Sequence, residues 1–242
     1  MFPEIHLSES IYIPTYYLVI SLTTCLCLLW MYRRSLNKNF PINSSLDLSL
    51  IVMVAGFLGG RLLHIVYESP DHYLKNPAEI INVGDGGFVF FGGFFTALAA
   101  SLVYLKKKNL ILTDYLDLFA PVLALGYGLG RSACFFAGCC YGKTCDLPWA
   151  LNHRHPTQLY AVCIELLIVG ILLLLEKSKS KKIKSGDIFY SWIAMHGLGR
   201  LFMEHFRDDY RGPEAGLSIS SWLSLGLIAV GIFLLSKPAR RR

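Results

Sequence analysis

Seven apolar stretches, at about 11–32, 48–67, 88–105, 115–136, 157–175, 187–206 and 217–235, leave this chain few ways to fold. Several are 18–22 residues long, the length an α-helix needs to cross a hydrocarbon core of about 30 Å with little tilt. Backbone N–H and C=O groups find no water inside a bilayer, so such a stretch has to satisfy them within itself as a helix. The basic residues alternate in step with these stretches. Arg33, Arg34 and Lys38 follow the first, and Lys106, Lys107 and Lys108 the third. Lys177, Lys179, Lys181, Lys182 and Lys184 follow the fifth, and Lys237, Arg240, Arg241 and Arg242 the seventh. Fifteen of the 23 Lys and Arg thus fall on one side, against Lys75, Lys143, Arg154, Arg207 and Arg211 on the other. The positive-inside bias then predicts an all-α polytopic membrane protein of about seven transmembrane helices, N-terminus outside and C-terminus cytoplasmic.

Composition agrees: 54% of residues are hydrophobic and 17% charged, against about 25% charged in a soluble domain. The net charge of +6 reads as a topology signal and not as a nucleic-acid surface, because the bases sit in short clusters between spans. Glu4 and Glu9 precede the first apolar run where a signal peptide would carry bases, so that run is expected to stay as a membrane helix. No internal repeat is visible, and residues 1–242 read as one membrane domain.

Arg61, Arg131 and Arg200 lie within spans, near their outer ends, together with Glu165 and Glu204. A charge at such depth costs roughly 2.5–3.5 kcal/mol on insertion scales and normally faces a cavity or a partner. Arg200 and Glu204 are four apart on one helical face, as an ion pair requires. Mutual neutralisation within the membrane is one reading of the five. Three positive charges against two negative leave a surplus, however, and guanidinium forks suit phosphate oxygens, so an anionic lipid headgroup is the other. His155, ahead of Pro156, serves equally well as a helix-start residue or as a catalytic group, and His196 and Tyr16 are as ambiguous. Gly84-Asp85-Gly86-Gly87 and Gly92-Gly93 flank an apolar patch at the outer loop after the second span and permit irregular backbone there.

Of seven cysteines, Cys25, Cys27 and Cys163 read as small apolar residues. Cys134, Cys139, Cys140 and Cys145 form C-x4-C-C-x4-C, a weak match to the C-x2-4-C pairs of zinc sites. A disulfide from Cys139 or Cys140 to Cys145, simple packing, and a reactive thiol all remain open, and no metal or cofactor is assigned.

Taken together, these residues resemble the prolipoprotein diacylglyceryl transferases, bacterial inner-membrane enzymes with seven spanning helices. The resemblance runs over nearly the whole length. It rests on Tyr16, Gly59-Gly60-Arg61, Asp85-Gly86-Gly87 with Gly92-Gly93, Asp117-Leu118-Phe119-Ala120-Pro121 and Gly128-Leu129-Gly130-Arg131. It continues through Arg154-His155-Pro156-Thr157-Gln158-Leu159-Tyr160, Glu165 and Gly199-Arg200-Leu201-Phe202-Met203-Glu204-His205-Phe206-Arg207. It implies a multi-pass protein of the bacterial cytoplasmic (inner) membrane with a periplasmic N-terminus. Such an enzyme moves the diacylglyceryl group of phosphatidylglycerol to the lipobox cysteine thiol of a prolipoprotein, forming a thioether and releasing glycerol 1-phosphate. Its implied partners are phosphatidylglycerol, prolipoprotein substrates and membrane lipids, with no nucleic acid. On this reading Arg131, Arg200 and His155 are the catalytic candidates. Tyr16, Arg61, Asp85, Gly86, Gly92, Gly93, Gln158, Tyr160, Glu165, Glu204 and Arg207 are candidates for substrate binding.

The chain departs from the family pattern at its centre. Phe91 stands where a His-Gly-Gly motif is usual, and Cys134, Ala137 and Cys139 stand where two Asn and a Glu are usual. Two other readings therefore stay open on sequence: a paralogue with another acceptor, and a non-catalytic lipid-binding scaffold. A free thiol of pKa about 8.5 is a few per cent thiolate at neutral pH, so losing a base costs roughly 30-fold at most. Losing preorganised charge stabilisation costs about 10²–10³-fold. The arginines, all present, therefore carry more of the expected chemistry than the missing histidine.

Overall fold

The computed structural model describes residues 3–8, 11–82, 86–178, 183–208 and 217–237. Among these, an antiparallel hairpin of β1 (Glu4–Ser8) and β2 (Ile11–Pro14) precedes eight α-helices. They are α1 (Thr15–Asn37), α2 (Ile42–Leu63), α3 (Pro70–Lys75), α4 (Phe90–Lys107), α5 (Leu112–Ala137), α6 (Thr157–Lys177), α7 (Asp187–Glu204) and α8 (Ile219–Ser236). All but α3 coincide with the seven apolar stretches to within a few residues. The all-α expectation needs one correction. Residues 11–14, placed in the first span, instead pair with residues 4–8, Glu4 opposite Pro14, and the helix begins at Thr15. The run Ile-Tyr-Ile-Pro is apolar enough to merge with the span behind it, while its alternation suits a half-exposed strand.

Among the described residues, five helical segments are long and apolar enough to cross a membrane: Thr15–Asn37, Ile42–Glu68, Leu112–Ala137, Thr157–Lys177 and Ile219–Ser236. Their outer surfaces carry Leu22, Leu29, Leu167, Ile232 and Phe233, each well exposed. In water so much contiguous apolar surface marks an interaction face; against lipid tails it is the ordinary state of a polytopic protein.

The chain forms two compact units, one of residues 1–31 with 113–242 and one of residues 32–112. In the first, Ala120 and Ala124 of α5 pack with Ile168, Val169 and Leu172 of α6 and Ile188 of α7 in a core closed to solvent. Pro121 sits inside α5 beside them. The Asp117 carboxylate accepts the N–H groups of Gly186 (2.6 Å) and Phe189 (2.9 Å). It thereby caps α7 from a neighbouring helix, where a negative charge also meets the positive end of the helix dipole.

In the second unit, α2 and α4 cross through glycines. A side chain on Gly59 would strike Thr96 and the Gly92 carbonyl; one on Gly93 would lie 2.7 Å from the Gly56 carbonyl. Without a hydrophobic force between helices in lipid, this small-residue contact lets the backbones approach. The Tyr104 hydroxyl donates to Asp47 at 2.8 Å across the same pair.

Helices α1, α4 and α5 end alike. Asn39 (φ 57°), Asn109 (φ 52°) and Gly138 (φ 75°) take the left-handed conformation just past each helix. The next amide reaches back over the last turn: Phe40 to Ser35 O (2.9 Å), Leu110 to Leu105 O (2.9 Å) and Cys139 to Cys134 O (3.1 Å). This is the Schellman closure, which satisfies the carbonyls a helix leaves exposed.

Candidate active site

The first unit gathers most of the sequence-derived candidates at the ends of α5, α6, α7 and α8. The stretch 138–156 folds back on itself and is tied to both flanks. Gly142 N donates to His155 O (2.9 Å), His155 N to Lys143 O (3.0 Å) and Lys143 N to Phe206 O (2.8 Å). Gly142 has no room for a side chain, since a Cβ would press on Phe206 O, Thr157 Cγ2 (2.7 Å) and His155 Cβ (2.8 Å). The start of α6 holds the other strand of this turn. Thr157 Oγ1 donates to Cys140 O (2.7 Å), and the Gln158 amide, fully buried, donates to Cys139 O.

Arg131 lies three residues, not quite one turn, before Cys134 on α5, half-buried, with Nη1 at 3.9 Å from Cys134 Sγ. Its Nε and Nη2 are buried without a hydrogen-bond partner. These are the two parallel donors of the side-on guanidinium fork, the geometry that accepts two oxygens of a carboxylate or phosphate. A buried unpartnered donor costs about 1–3 kcal/mol, more for a charged group, a cost that a two-oxygen anion on this edge would remove.

Arg200 is held differently. Its Nη1 donates to the Tyr127 hydroxyl (3.1 Å) and its Nη2 to Ser220 Oγ (2.9 Å). Glu204 accepts from Ser218 Oγ (2.6 Å). Arg200 thus takes two hydroxyls as partners where the sequence suggested the carboxylate four residues on. Tyr127 also meets His196 edge-on at 4.7 Å, and His196 Nδ1 lies 2.5 Å from Glu165 Oε1. Glu165, 2% exposed, is admitted by Gly128, whose missing side chain leaves room at 3.0 Å from Glu165 Cβ. Four residues from three helices therefore link into one chain: Arg200, Tyr127, His196 and Glu165. Tyr127 was not singled out by sequence, and His196 only as an ambiguous group.

His155 faces Tyr160, Nδ1 to hydroxyl 3.2 Å, and its ring packs on Phe206 at 5.0 Å. Trp149 Nε1 donates to the same Tyr160 hydroxyl at 2.8 Å. Arg207 is buried and its backbone pairs with Gly142. Tyr16, near the start of α1, lies within electrostatic range of Cys134, Cys139 and Cys140.

All seven cysteines are unpaired, including Cys145, so of the readings the sequence left open the disulfide to Cys145 is not formed. The thiols that do converge are Cys134, Cys139 and Cys140, whose sulfurs lie within 4.8 Å of one another. Cys140 is pulled down to about 4 by its hydrogen bond with Cys134, then by one with Cys139 and by the charges of Arg131 and Arg207, against its burial. Cys139 is pushed up, chiefly by burial.

In the second unit Arg61 is held by main-chain oxygens. Its Nε donates to Ile80 O (3.4 Å), Nη1 to Gly86 O (2.6 Å) and Gly87 O (3.2 Å), and Nη2 to Glu79 O (2.7 Å) and Asn82 O (2.6 Å). All five guanidinium donors are occupied by carbonyls of the loop before α4, so Arg61 shapes that loop. Gly86 contributes one of those carbonyls, and Gly87, at φ 81°, has Arg61 Nη1 where a Cβ would be. Gly92 and Gly93 serve the α2–α4 crossing. Asp85 lies outside the described residues.

The family model for prolipoprotein diacylglyceryl transferase matches residues 4–237. The phosphatidylglycerol–prolipoprotein diacylglyceryl transferase of Clostridium tetani is 34% identical over 213 residues, 84% of this chain and 84% of that protein. The enzyme so named from Nitrosomonas europaea is 36% identical over 78% of this chain and 72% of its own length. That of Bordetella avium is 33% identical over 88% and 85%. The protein described here belongs to the prolipoprotein diacylglyceryl transferase family.

Proposed function

We propose that this chain transfers the diacylglyceryl group of phosphatidylglycerol to the lipobox cysteine thiol of a prolipoprotein, giving a thioether and glycerol 1-phosphate. Family membership over nearly the whole chain supports the reaction class. The observation that carries the reading at the site is the Arg131 edge, a charged fork buried with two donors unpartnered. The phosphodiester of phosphatidylglycerol is a membrane-resident anion with two oxygens to fill it. In the transfer, the acceptor sulfur attacks the glyceryl carbon, the bond from that carbon to the phosphate oxygen breaks, and the electron pair leaves on that oxygen. Arg131 stabilises the charge that collects there, the role in which a preorganised cation is worth most.

Arg200 is placed second, its guanidinium oriented by Tyr127 and Ser220, with Glu165 and His196 setting the tyrosine. His155, beside the Tyr160 hydroxyl, is the proton acceptor of the set. Gln158 and Arg207 shape the turn that carries the cysteines, Tyr16 borders it, and Glu204 with Ser218 anchors α7 to α8. Seven crossings, a periplasmic N-terminus and a cytoplasmic C-terminus belong to the same reading, supported by the alternation of Lys and Arg. The test is complementation of a strain depleted of its own transferase, with labelled phosphatidylglycerol followed to lipoprotein. Wild type restores growth and labelled lipoprotein; Arg131→Ala and Arg200→Ala do not. Full activity in both variants would sink the reading.

A further inference from the structure

We propose that Cys134, Cys139 and Cys140 bind one zinc ion with its fourth coordination position open, and that this position takes the acceptor thiol. The ligand set is made by the helix end. Gly138 closes α5 in the left-handed conformation, and the amide of Cys139 returns to the carbonyl of Cys134. A closure of this kind lays the residue five positions on over the last turn of the helix. C-x4-C is therefore a juxtaposed pair here, although it is not a zinc spacing in an extended knuckle. Cys140 adds a third sulfur, 3.6 Å from Cys139 Sγ, and the three lie within 4.8 Å of one another. Zinc–sulfur bonds of about 2.3 Å in a tetrahedron place sulfurs about 3.8 Å apart, within reach of this set by small side-chain rotations. Thr157 and Gln158 grip the carbonyls of Cys140 and Cys139, so the turn is fixed before any ion arrives.

Charge and access favour a three-sulfur site over a closed four-sulfur one. Three thiolates around Zn²⁺ leave one net negative charge, and the Arg131 guanidinium touches Cys134 to compensate it. Cys145 does not belong to the trio, and Cys139 is exposed, so the fourth position opens outward. Three protein ligands with an open position is the pattern of zinc sites that act on a substrate. A coordinating thiol is deprotonated outright, its proton passing to solvent. The bound sulfur keeps a lone pair to form the carbon–sulfur bond, while the carbon–oxygen pair departs on the phosphate. Arg131 would then touch the phosphate with its fork and the cluster that holds the acceptor with its third nitrogen. The acceptor half of this inference rests on the transferase reading; the metal half does not.

The full chain, purified in detergent without chelator, is assayed for metal by mass spectrometry. About one zinc per chain is expected, falling at least tenfold in Cys134→Ser, Cys139→Ser and Cys140→Ser and unchanged in Cys145→Ser. Replacing zinc by cobalt(II) should give thiolate-to-metal charge-transfer absorption. This separates loss of ligands from misfolding, because variants of normal elution profile must still lose the band. A lipobox peptide with cysteine should intensify the band, and its serine counterpart should not. Less than a tenth of an equivalent after incubation with excess zinc, with all three thiols still open to alkylation, overturns the site. Metal without a peptide response overturns the open position. Growth of the depleted strain by a chain that binds no zinc overturns the inference and leaves the transferase standing. Zinc with a peptide response but no lipid transfer overturns the transferase and leaves the metal site.

Discussion

Arg131 and Arg61 make opposite use of the same side chain. Arg131 presents two unpartnered donors, whereas Arg61 has all five occupied. Arg131→Lys keeps the charge but loses the fork, and transfer should fall by about 10²-fold, close to the alanine variant, in a labelled-lipid assay. Arg61→Lys removes two of five donors and leaves part-buried loop carbonyls without their charged partner. It should destabilise the protein by about 1–3 kcal/mol per orphaned group, read as thermal unfolding in detergent, with little change in lipid affinity where the fold survives. By residue type alone the two look alike, each a charge within an apolar span, and only the family resemblance set Arg131 with the catalytic candidates and Arg61 with the substrate-binding ones. What separates them is a loop that meets Arg61 with main-chain oxygens of Glu79, Ile80, Asn82, Gly86 and Gly87, and main-chain acceptors leave no signature in residue types. The chain from Arg200 through Tyr127 and His196 to Glu165 was hidden for a related reason, since it joins α7, α5 and α6 and no local spacing marks it.

Helix ends and crossings were legible in part. Length and apolarity located the seven long helices of the described residues, five of them long and apolar enough to cross a membrane, where a chain has no other way to satisfy its backbone. The hairpin escaped because strand alternation over Ile11–Pro14 merged with the span after it. The thiol cluster was marked in the sequence, with Cys145 as a fourth member, but matched zinc only weakly, because spacing rules assume extended knuckles and this one depends on a helix closure. That dependence can be tested at the element itself. Gly138→Ala puts a Cβ in the left-handed conformation at a cost of roughly 1–2 kcal/mol and should displace Cys139 from Cys134. Crosslinking of the two thiols by a short bifunctional reagent, efficient in the parent, should drop severalfold. At the α2–α4 crossing, Gly59→Val meets Thr96 and the Gly92 carbonyl at once. The helices have to part, and the yield of folded, protease-resistant protein should fall sharply, while Gly226→Ala, in open space on α8, should leave it unchanged.

On the scale of the whole molecule, the distribution of Lys and Arg predicts which ends and loops face which compartment. Single cysteines at Ser44 and Ser185 in a cysteine-free parent should resist a membrane-impermeant maleimide in intact cells. One at Asp146 should react, and the reverse pattern would invert the topology.

The first unit is discontinuous: α1 packs with α5, Cys27 Sγ meeting Val122 O at 3.9 Å, although residues 32–112 intervene. A ribosome delivers this chain from its N-terminus, so α1 enters the bilayer long before the helix it rests on exists. The α2–α4 pair, wholly contained in residues 32–112, can assemble while α1 is still waiting. Biogenesis therefore leaves one early helix dependent on lipid or an insertion chaperone until α5 arrives, and polar substitutions on the α5-facing side of α1 should be felt first as degradation during synthesis.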